Sequence, residues 1–577
     1  MASLLARTRS WLDAREGSPT TRAVLLVTII LAVVFGAGAR ASFLAWQDPW
    51  GPHHPDEGIL PLEAVALWEG VTPREVGWPA STTRLMLSAG AATEWVGAEG
   101  RATWQRRAEP QGVLQGLSSW IADRYVHQAP GIRLGRILSL LTACLHLLVA
   151  GWAGRRWLGS TGAPFAWLSA AMCPVAVAYS QYVLSDVQGV LFATAVVALA
   201  AVPTARGMLV MAGMVGLATA SKFHFGLWLL TPLLCIWLRL PLRAAARLKL
   251  TLAVLGLFAW VVLTFVPWFW INPLLALKEF AGVVLVKIGN AKTTGGLSTN
   301  IAVLVSALGS VIAAGTALAV APVAGSWRQY APVLLPTVIG AVALSASAIV
   351  FDRYALVLLP GLALVAARGW QWATETGSRH AQTIVTCALA LTVATTGWQI
   401  VRATGRMAPI DVDVLATRWI TEHVPRGARV AVQEETVAPL PREAQQLRQC
   451  VERVDSPAGY RDKWRLEGVE LPAGDSLPMQ GVVMNDERVF AYWCRQELDA
   501  SKDDGFHVVP YHRDAHFWSV RERQAIDEFA KGASDVTGGI DVLVLNRVED
   551  VGRPPARVFE NARGRRVIYL RTGFEAR

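Results

Sequence analysis

The sequence predicts an α-helical polytopic membrane protein with a small extracytoplasmic α/β domain at its C-terminal end, and three observations predict it. Apolar residues make up 53% of the chain and charged residues only 17%, whereas soluble domains carry about 25% charge. The apolar residues fall in long runs between residues 23 and 402, and a membrane span needs about 20 of them. After residue 403 those runs stop, and helix-like and strand-like patterns alternate instead.

About eleven spans are expected, at 23–45, 133–153, 163–182, 186–203, 207–221, 225–241, 249–270, 299–320, 331–350, 354–369 and 382–402. The fifth and sixth are short and share one compact hairpin around Ser221–Phe225. A net charge of +10 would suggest nucleic acid in a soluble protein. Here the basic residues cluster in short loops between apolar runs, the pattern that sets membrane orientation, so no nucleic-acid partner is expected. Arg7, Arg9, Arg15 and Arg22 precede the first span, Arg155 and Arg156 follow the second, and Arg206 precedes the fifth. Arg239, Arg243, Arg247 and Lys249 follow the sixth, and Arg368 and Arg379 follow the tenth. All share one side if the N-terminus (1–22) is cytoplasmic. That makes a multi-pass protein of the cytoplasmic (inner) membrane, with residues 403–577 outside. "AGARA", at the end of the first span, looks like a signal-cleavage site. The length of the apolar stretch and the ten spans after it favour an uncleaved anchor.

On this topology the polar elements converge on the outer side. The first outer loop, residues 48–132, is longer than a connector needs to be. In "WGPHHPDEGILPLEAVALWEG" (Trp50–Gly70) Asp56 suits a helix N-cap, and Ile59, Leu60, Leu62, Val65, Ala66 and Leu67 form an apolar face before Gly70. A second amphipathic stretch spans about Gln111 to Tyr125, and such helices can lie in the membrane interface. Two carboxylates at a helix start gain roughly 0.3–1 kcal/mol from the helix dipole, which explains Asp56 and Glu57 as acids but not their place beside His53 and His54. The ligand spacing of that cluster is too short to be diagnostic of a metal.

Asp186, closing "YSQYVLSD", reads either as a site acid, since ionisable residues near membrane depth are costly, or as a helix cap. Lys222, in "ATASKFHFG", reads either as a site cation or as a side chain reaching for the interface. Arg133 and Arg136 stand a helical turn apart at the outer start of the second span, and Arg353 stands at the outer start of the tenth. Bases on the outer side run against the positive-inside tendency. Four such cations around one cavity would hold a phosphate through Arg forks and a Lys point charge; separate pairing with Asp352, Asp186 or lipid headgroups is the alternative.

Taken together, "HPDEGI…A…L.EG", "R.GR" entering the second span, "P…AYSQYVLSD", "GLATASK" and "RYALVLLPGLALVAARG" resemble the motifs of the GT-C membrane glycosyltransferases. They resemble especially the protein O-mannosyltransferase and lipid A aminoarabinose transferase group, of the glycosyltransferase family 39 kind. The matches keep their order over roughly residues 20–400. A single proline, Pro360, follows "RYALVLL", so the late-span match rests on Arg353 and Tyr354.

The resemblance implies a GT-C-like catalytic domain over 23–402. It also implies inverting transfer of a sugar from a polyprenyl-phosphate donor to a hydroxyl on a lipid, a polysaccharide or a protein, outside the cytoplasm. By match to the family's first-loop aspartate, Asp56 is the candidate base, with Glu57 supporting it and Asp186 orienting the acceptor or helping to bind a divalent cation. No cofactor is certain and a metal is left open. Arg133, Arg136, Lys222 and Arg353 are the candidate donor-phosphate ligands, and His54 and Tyr354 the candidate substrate contacts. The outer loop from Asn272 to Asn300, with Lys278, Lys287 and Lys292, is either a lid or a connector. Aromatic belts account for most of the 24 tryptophans.

In the C-terminal domain, "DVLATRWITEHVPRGARVAVQ" reads as helix, turn and strand, and "RQAIDEFAKG" with "GIDVLVLN" repeats the pattern. The middle, including "HVVPYHRDAHFWS", reads as polar and irregular, with His507, His512 and His516 as surface residues. Asp411–Asp413 caps a helix. Cys144, Cys173, Cys235 and Cys387 are small core residues, while pairing of Cys450 with Cys494 is open. The rival function is a transporter or lipid flippase, which would show internal repeats and helices broken at the midplane. A non-catalytic scaffold would leave Asp56, Asp186 and Arg353 unexplained.

Overall fold

A computed structural model of the chain describes residues 19–46, 60, 61, 64, 81–94, 129–266, 268–271, 273, 274, 281, 297–347, 352–376, 378–405, 412–433, 507–511, 541–545, 554–561 and 564–570. His53, His54, Asp56, Glu57, the 111–125 stretch, Lys278, Lys287, Lys292, Asp411, Cys450, Cys494, His512 and His516 lie outside these. The chain divides into two compact units. One comprises Met1–Leu44, Trp50–Ala108 and Gln128–Thr404; the other comprises Ala45–Pro49, Glu109–His127 and Gly405–Arg577.

The first unit is helical and apolar, the body of a multi-pass membrane protein. Among the described residues three helices are long and apolar enough to cross a bilayer: Pro130–Ala171, Ala244–Phe265 and Arg379–Gly405. Leu297–Leu308 and Ser310–Leu318 are long and apolar enough only together, and the pair is bent by 102°. Leu25–Arg40, Asp186–Ala200, Ala205–Ser221 and Phe223–Leu238 are shorter apolar helices. Pro130–Ala171 covers 42 residues, about twice what a bilayer needs; non-helical Gly159 divides it, between the expected second and third spans.

Polar side chains hold the two ends of this bundle in register. At one end, Arg239 donates to Ala200 O (2.5 Å) and Ala201 O (3.0 Å), the last carbonyls of the Asp186–Ala200 helix. Its guanidinium lies 5.3 Å from the Trp157 ring, which stacks on Tyr330. A cation on terminal carbonyls offsets the loss of their intrahelical donors. At the other end, fully buried Arg40 donates to Gly36 O (2.7 Å), Ala171 O (3.0 Å) and Ala170 O (2.9 Å), joining the ends of two helices. The Gln181 amide donates to the neighbouring Ala39 O (2.8 Å).

One backbone carbonyl freed inside the bundle is re-satisfied by a hydroxyl, as an apolar surround requires. Pro336, within the Trp327–Ser345 helix, has no N–H for the carbonyl of Pro332; Thr231 donates to that oxygen instead (2.7 Å). At the 102° bend Gly309 has φ +82° and ψ 164°, a region open essentially to glycine. Ser310 Oγ there lies 2.7 Å from Thr396 Oγ1 and 3.0 Å from Thr395 Oγ1, and donates to Thr392 O (3.1 Å).

The second unit contains a five-stranded sheet of order β2-β1-β3-β5-β4, with β1 Arg429–Gln433, β2 His507–Tyr511, β3 Val542–Leu545, β4 Arg557–Asn561 and β5 Gly564–Leu570. β1 runs parallel to β2 and β3, and β5 runs antiparallel to β3 and β4. The helix Val412–His423 buries Ala416 and Ile420, with Val424 just beyond its end, against Val430, Val542, Val544 and Ile568. The expected helix–turn–strand is present, with Gly427 at φ +81° in the turn. Two elements differ from expectation. "HVVPY" forms the edge strand β2 rather than irregular chain, because a sheet edge tolerates Pro510, which has no N–H to donate. The β4–β5 hairpin had not been expected at all.

Candidate active site

The Asp186–Ala200 helix begins on the last residue of the "YSQYVLSD" segment, so Asp186 is the one ionisable residue of a largely apolar helix. The Ala205–Ser221 helix stops one residue before Lys222, whose backbone is extended (φ −161°, ψ 128°). These two helix ends bring Lys222 Nζ to 2.7 Å from both Asp186 Oδ1 and Asp186 Oδ2. The Asp186 side chain is fully buried and that of Lys222 is 10% exposed, so this is a buried, charge-assisted pair. Asp186 is not the helix cap: Ser185 holds that position, without a capping side-chain bond. Lys222, in turn, is buried rather than extended toward an interface.

A third segment completes the cluster. The 3₁₀ turn Asp352–Val357 buries the Tyr354 ring, whose centroid lies 5.6 Å from Lys222 Nζ, within cation–π range. The His224 ring meets Tyr354 edge-on at 5.6 Å. Arg353 is close enough for its charge to act on the Asp186 carboxylate. Asp352 Oδ1 accepts from the Arg353 backbone N–H (2.8 Å) and from Tyr179 Oη (2.7 Å), so this turn is tied to the start of the Asp186 loop.

The helix Ser81–Glu94 forms a further wall, one that sequence reasoning missed. Thr82 Oγ1 lies 2.5 Å from Ser221 Oγ, beside Lys222. The Gln188 amide nitrogen, two residues past Asp186, donates to Thr83 Oγ1 (3.1 Å), Leu184 O (2.9 Å) and Ser185 O (3.2 Å). Arg84 on the same helix is buried. The one available signal was the run "STTR" ahead of an apolar stretch, a helix start rich in hydroxyls.

The arginine pair is split by exposure: Arg136 is fully buried and Arg133 is exposed. Gly135, between them, explains why "R.GR" contains a glycine. A Cβ there would come within 2.6 Å of Val183 and 3.2 Å of Leu87, so only a glycine lets the Asp186 loop and the Ser81–Glu94 helix close on this one. Leu60 and Ala64 are buried with Leu87, Ile132 and Val183. The chain that follows Asp56 and Glu57 therefore packs on the elements carrying Asp186 and Arg136. Asp56, Glu57 and His54 themselves lie outside the described residues.

The described donors do not suit a divalent ion. Both Asp186 oxygens receive an ammonium, and no group of three or more His, Cys, Asp or Glu among the described residues could hold a metal.

No family model matches the chain, and no curated protein matches it. Among solved structures, ArnT from Cupriavidus metallidurans bound to undecaprenyl phosphate is similar at 14% identity and TM-score 0.46, over 94% of this chain and 97% of that one. Its apo form gives 13% identity and 0.47 over the same shares. The Archaeoglobus fulgidus oligosaccharyltransferase in its apo form gives 9% identity and 0.48, over 90% of this chain and 69% of that one.

Proposed function

We propose that the chain is an inverting glycosyltransferase that moves a sugar from a polyprenyl-phosphate donor to a hydroxyl acceptor on the extracytoplasmic face. The observation that carries this reading is the assembly of Asp186, Lys222 and Tyr354, from three separate segments, into one buried ionic cluster with Arg353 beside it. An unpaired charge in such surroundings is costly, and ionisable residues placed within apolar bundles usually mark a site. Independent support comes from the motifs that carry the GT-C resemblance.

In the proposed reaction the acceptor oxygen attacks the anomeric carbon while its proton passes to Asp56, supported by Glu57. The bond from the anomeric carbon to the phosphate oxygen breaks, and polyprenyl phosphate leaves. The leaving group is anionic and needs cations rather than an acid; Arg353, Arg136 and Arg133 supply them. Lys222 contributes while tethered to Asp186, which places the acceptor. Tyr354 and His54 contact substrate. A hexose or a pentose would fit this scheme, since the pocket rather than the fold selects the sugar.

One observation favours the transport alternative, namely the span broken at Gly309. The groups at that break are the hydroxyls of Ser310, Thr395 and Thr396, whereas the ionic cluster belongs to the ends of other helices. The test is turnover in lipid nanodiscs with a panel of polyprenyl-phosphate sugars and envelope acceptors, following sugar transfer and polyprenyl phosphate release by mass spectrometry. Transfer by the wild type and its loss in a folded Asp56→Asn variant is the expected result. Substrate flux across the bilayer without transfer would overturn it.

A further inference from the structure

Asp352 and Tyr179 lie outside every role assigned so far, yet they connect the two halves of the cluster. Tyr179 ends the short helix Pro174–Tyr179, and the chain reaches Asp186 seven residues later. Asp352 opens the turn that carries Arg353 and Tyr354. A single oxygen, Asp352 Oδ1, accepts both the Tyr179 hydroxyl at 2.7 Å and the Arg353 backbone N–H at 2.8 Å. One bond fixes the N–H of the turn's second residue. The other fixes the turn against the segment leading to Asp186, across 173 residues of sequence. Tyr182, in the loop three residues past the helix end, packs edge-on against Tyr179 at 5.9 Å.

We propose that Tyr179 and Asp352 form a positioning clasp that sets Arg353 and Tyr354 at the right distance from the Asp186–Lys222 pair for a polyprenyl phosphate to be bound and cleaved. The inference rests on the glycosyltransferase reading above. Neither residue touches the reacting atoms in this scheme. The ring at 5.6 Å from Lys222 Nζ and the neighbouring guanidinium move with the turn, so loosening the clasp changes how the leaving group is held. A hydrogen bond to a charged acceptor contributes enough to shift a transition state by roughly 10–100-fold.

The test uses the full chain in nanodiscs, with undecaprenyl phosphate as binding probe and transfer kinetics as second readout. Tyr179→Phe and Asp352→Ala are expected each to lower kcat by about 10-fold or more, against little change in acceptor KM. Each should also weaken undecaprenyl phosphate binding, with melting temperatures near wild type. The double variant should lose no more than Asp352→Ala alone, since Asp352→Ala already removes the contact that Tyr179→Phe breaks. Asp352→Asn, which keeps an acceptor Oδ1, should restore most of the activity. Wild-type binding and turnover with unaltered single variants, or additive losses in the double variant, would overturn the clasp and leave the glycosyltransferase reading standing. A wild type that neither binds undecaprenyl phosphate nor transfers sugar would overturn that reading and the clasp with it.

Discussion

Asp186 and Lys222 are each expensive alone and acceptable together. A lone carboxylate with no exposed side-chain area would be left without its counter-ion by Lys222→Met, and breaking a buried pair from one side costs about 3–5 kcal/mol. Lys222→Met is therefore expected to lower the melting temperature measured in detergent, and Asp186→Asn with Lys222→Met to recover a good part of the loss. Equal melting for the single and double variants would mean that the pair is not a mutual compensation. Both residues were legible in the sequence, because an acid and a base inside apolar runs stand out against their surroundings. Their partnership was not, since 36 residues separate them and periodicity says nothing about which helix ends meet. Thr82 and Thr83 were harder still: hydroxyls at the start of an outer-loop helix carry no charge to draw attention.

At the scale of elements, the long spans follow from composition, but their interruptions depend on contacts. Pro336 could be read directly as a missing donor, whereas the Thr231 hydroxyl that replaces it comes from another helix, 101 residues away. Thr231→Val keeps the shape, removes the donor and leaves the carbonyl of buried Pro332 unmatched, at a cost of roughly 1–3 kcal/mol. Thermal denaturation in detergent should show that loss, while Thr251→Val, at a half-buried site, should stay within about 0.5 kcal/mol of wild type. The bend at Gly309 lay inside what reads as a single span, 299–320, because apolar residues continue through it. In the C-terminal unit, β1 and β3 were visible as β-branched runs beside amphipathic helices. β2 was obscured by its proline and histidines. The β4–β5 hairpin was obscured by Arg557, Arg565 and Arg566, which make an alternating strand look like a charged loop.

At the scale of the whole molecule, the first unit sorts its polar contacts by end. Arg239 on Ala200 and Ala201 belongs to one end of the Asp186–Ala200 helix, and the Asp186–Lys222 pair belongs to the other. A polyprenyl-phosphate donor consumed outside the cytoplasm requires the Asp186 end to face outward, which is the orientation that the Lys/Arg distribution favours. Orientation can be tested directly by replacing the six native cysteines and introducing one probe at each end. Ala244→Cys opens the Ala244–Phe265 helix beside Arg239 and Arg243 in sequence, and Ala346→Cys closes the Trp327–Ser345 helix near Asn300, which donates to Ser345 O and Ser347 O. Both positions are exposed. A membrane-impermeant maleimide should label Ala346→Cys in intact spheroplasts and Ala244→Cys only after permeabilisation. The reverse pattern would put the ionic cluster on the cytoplasmic side, where a donor presented from the outer leaflet cannot reach it. The cluster would then need a different substrate, even if every contact within it were unchanged.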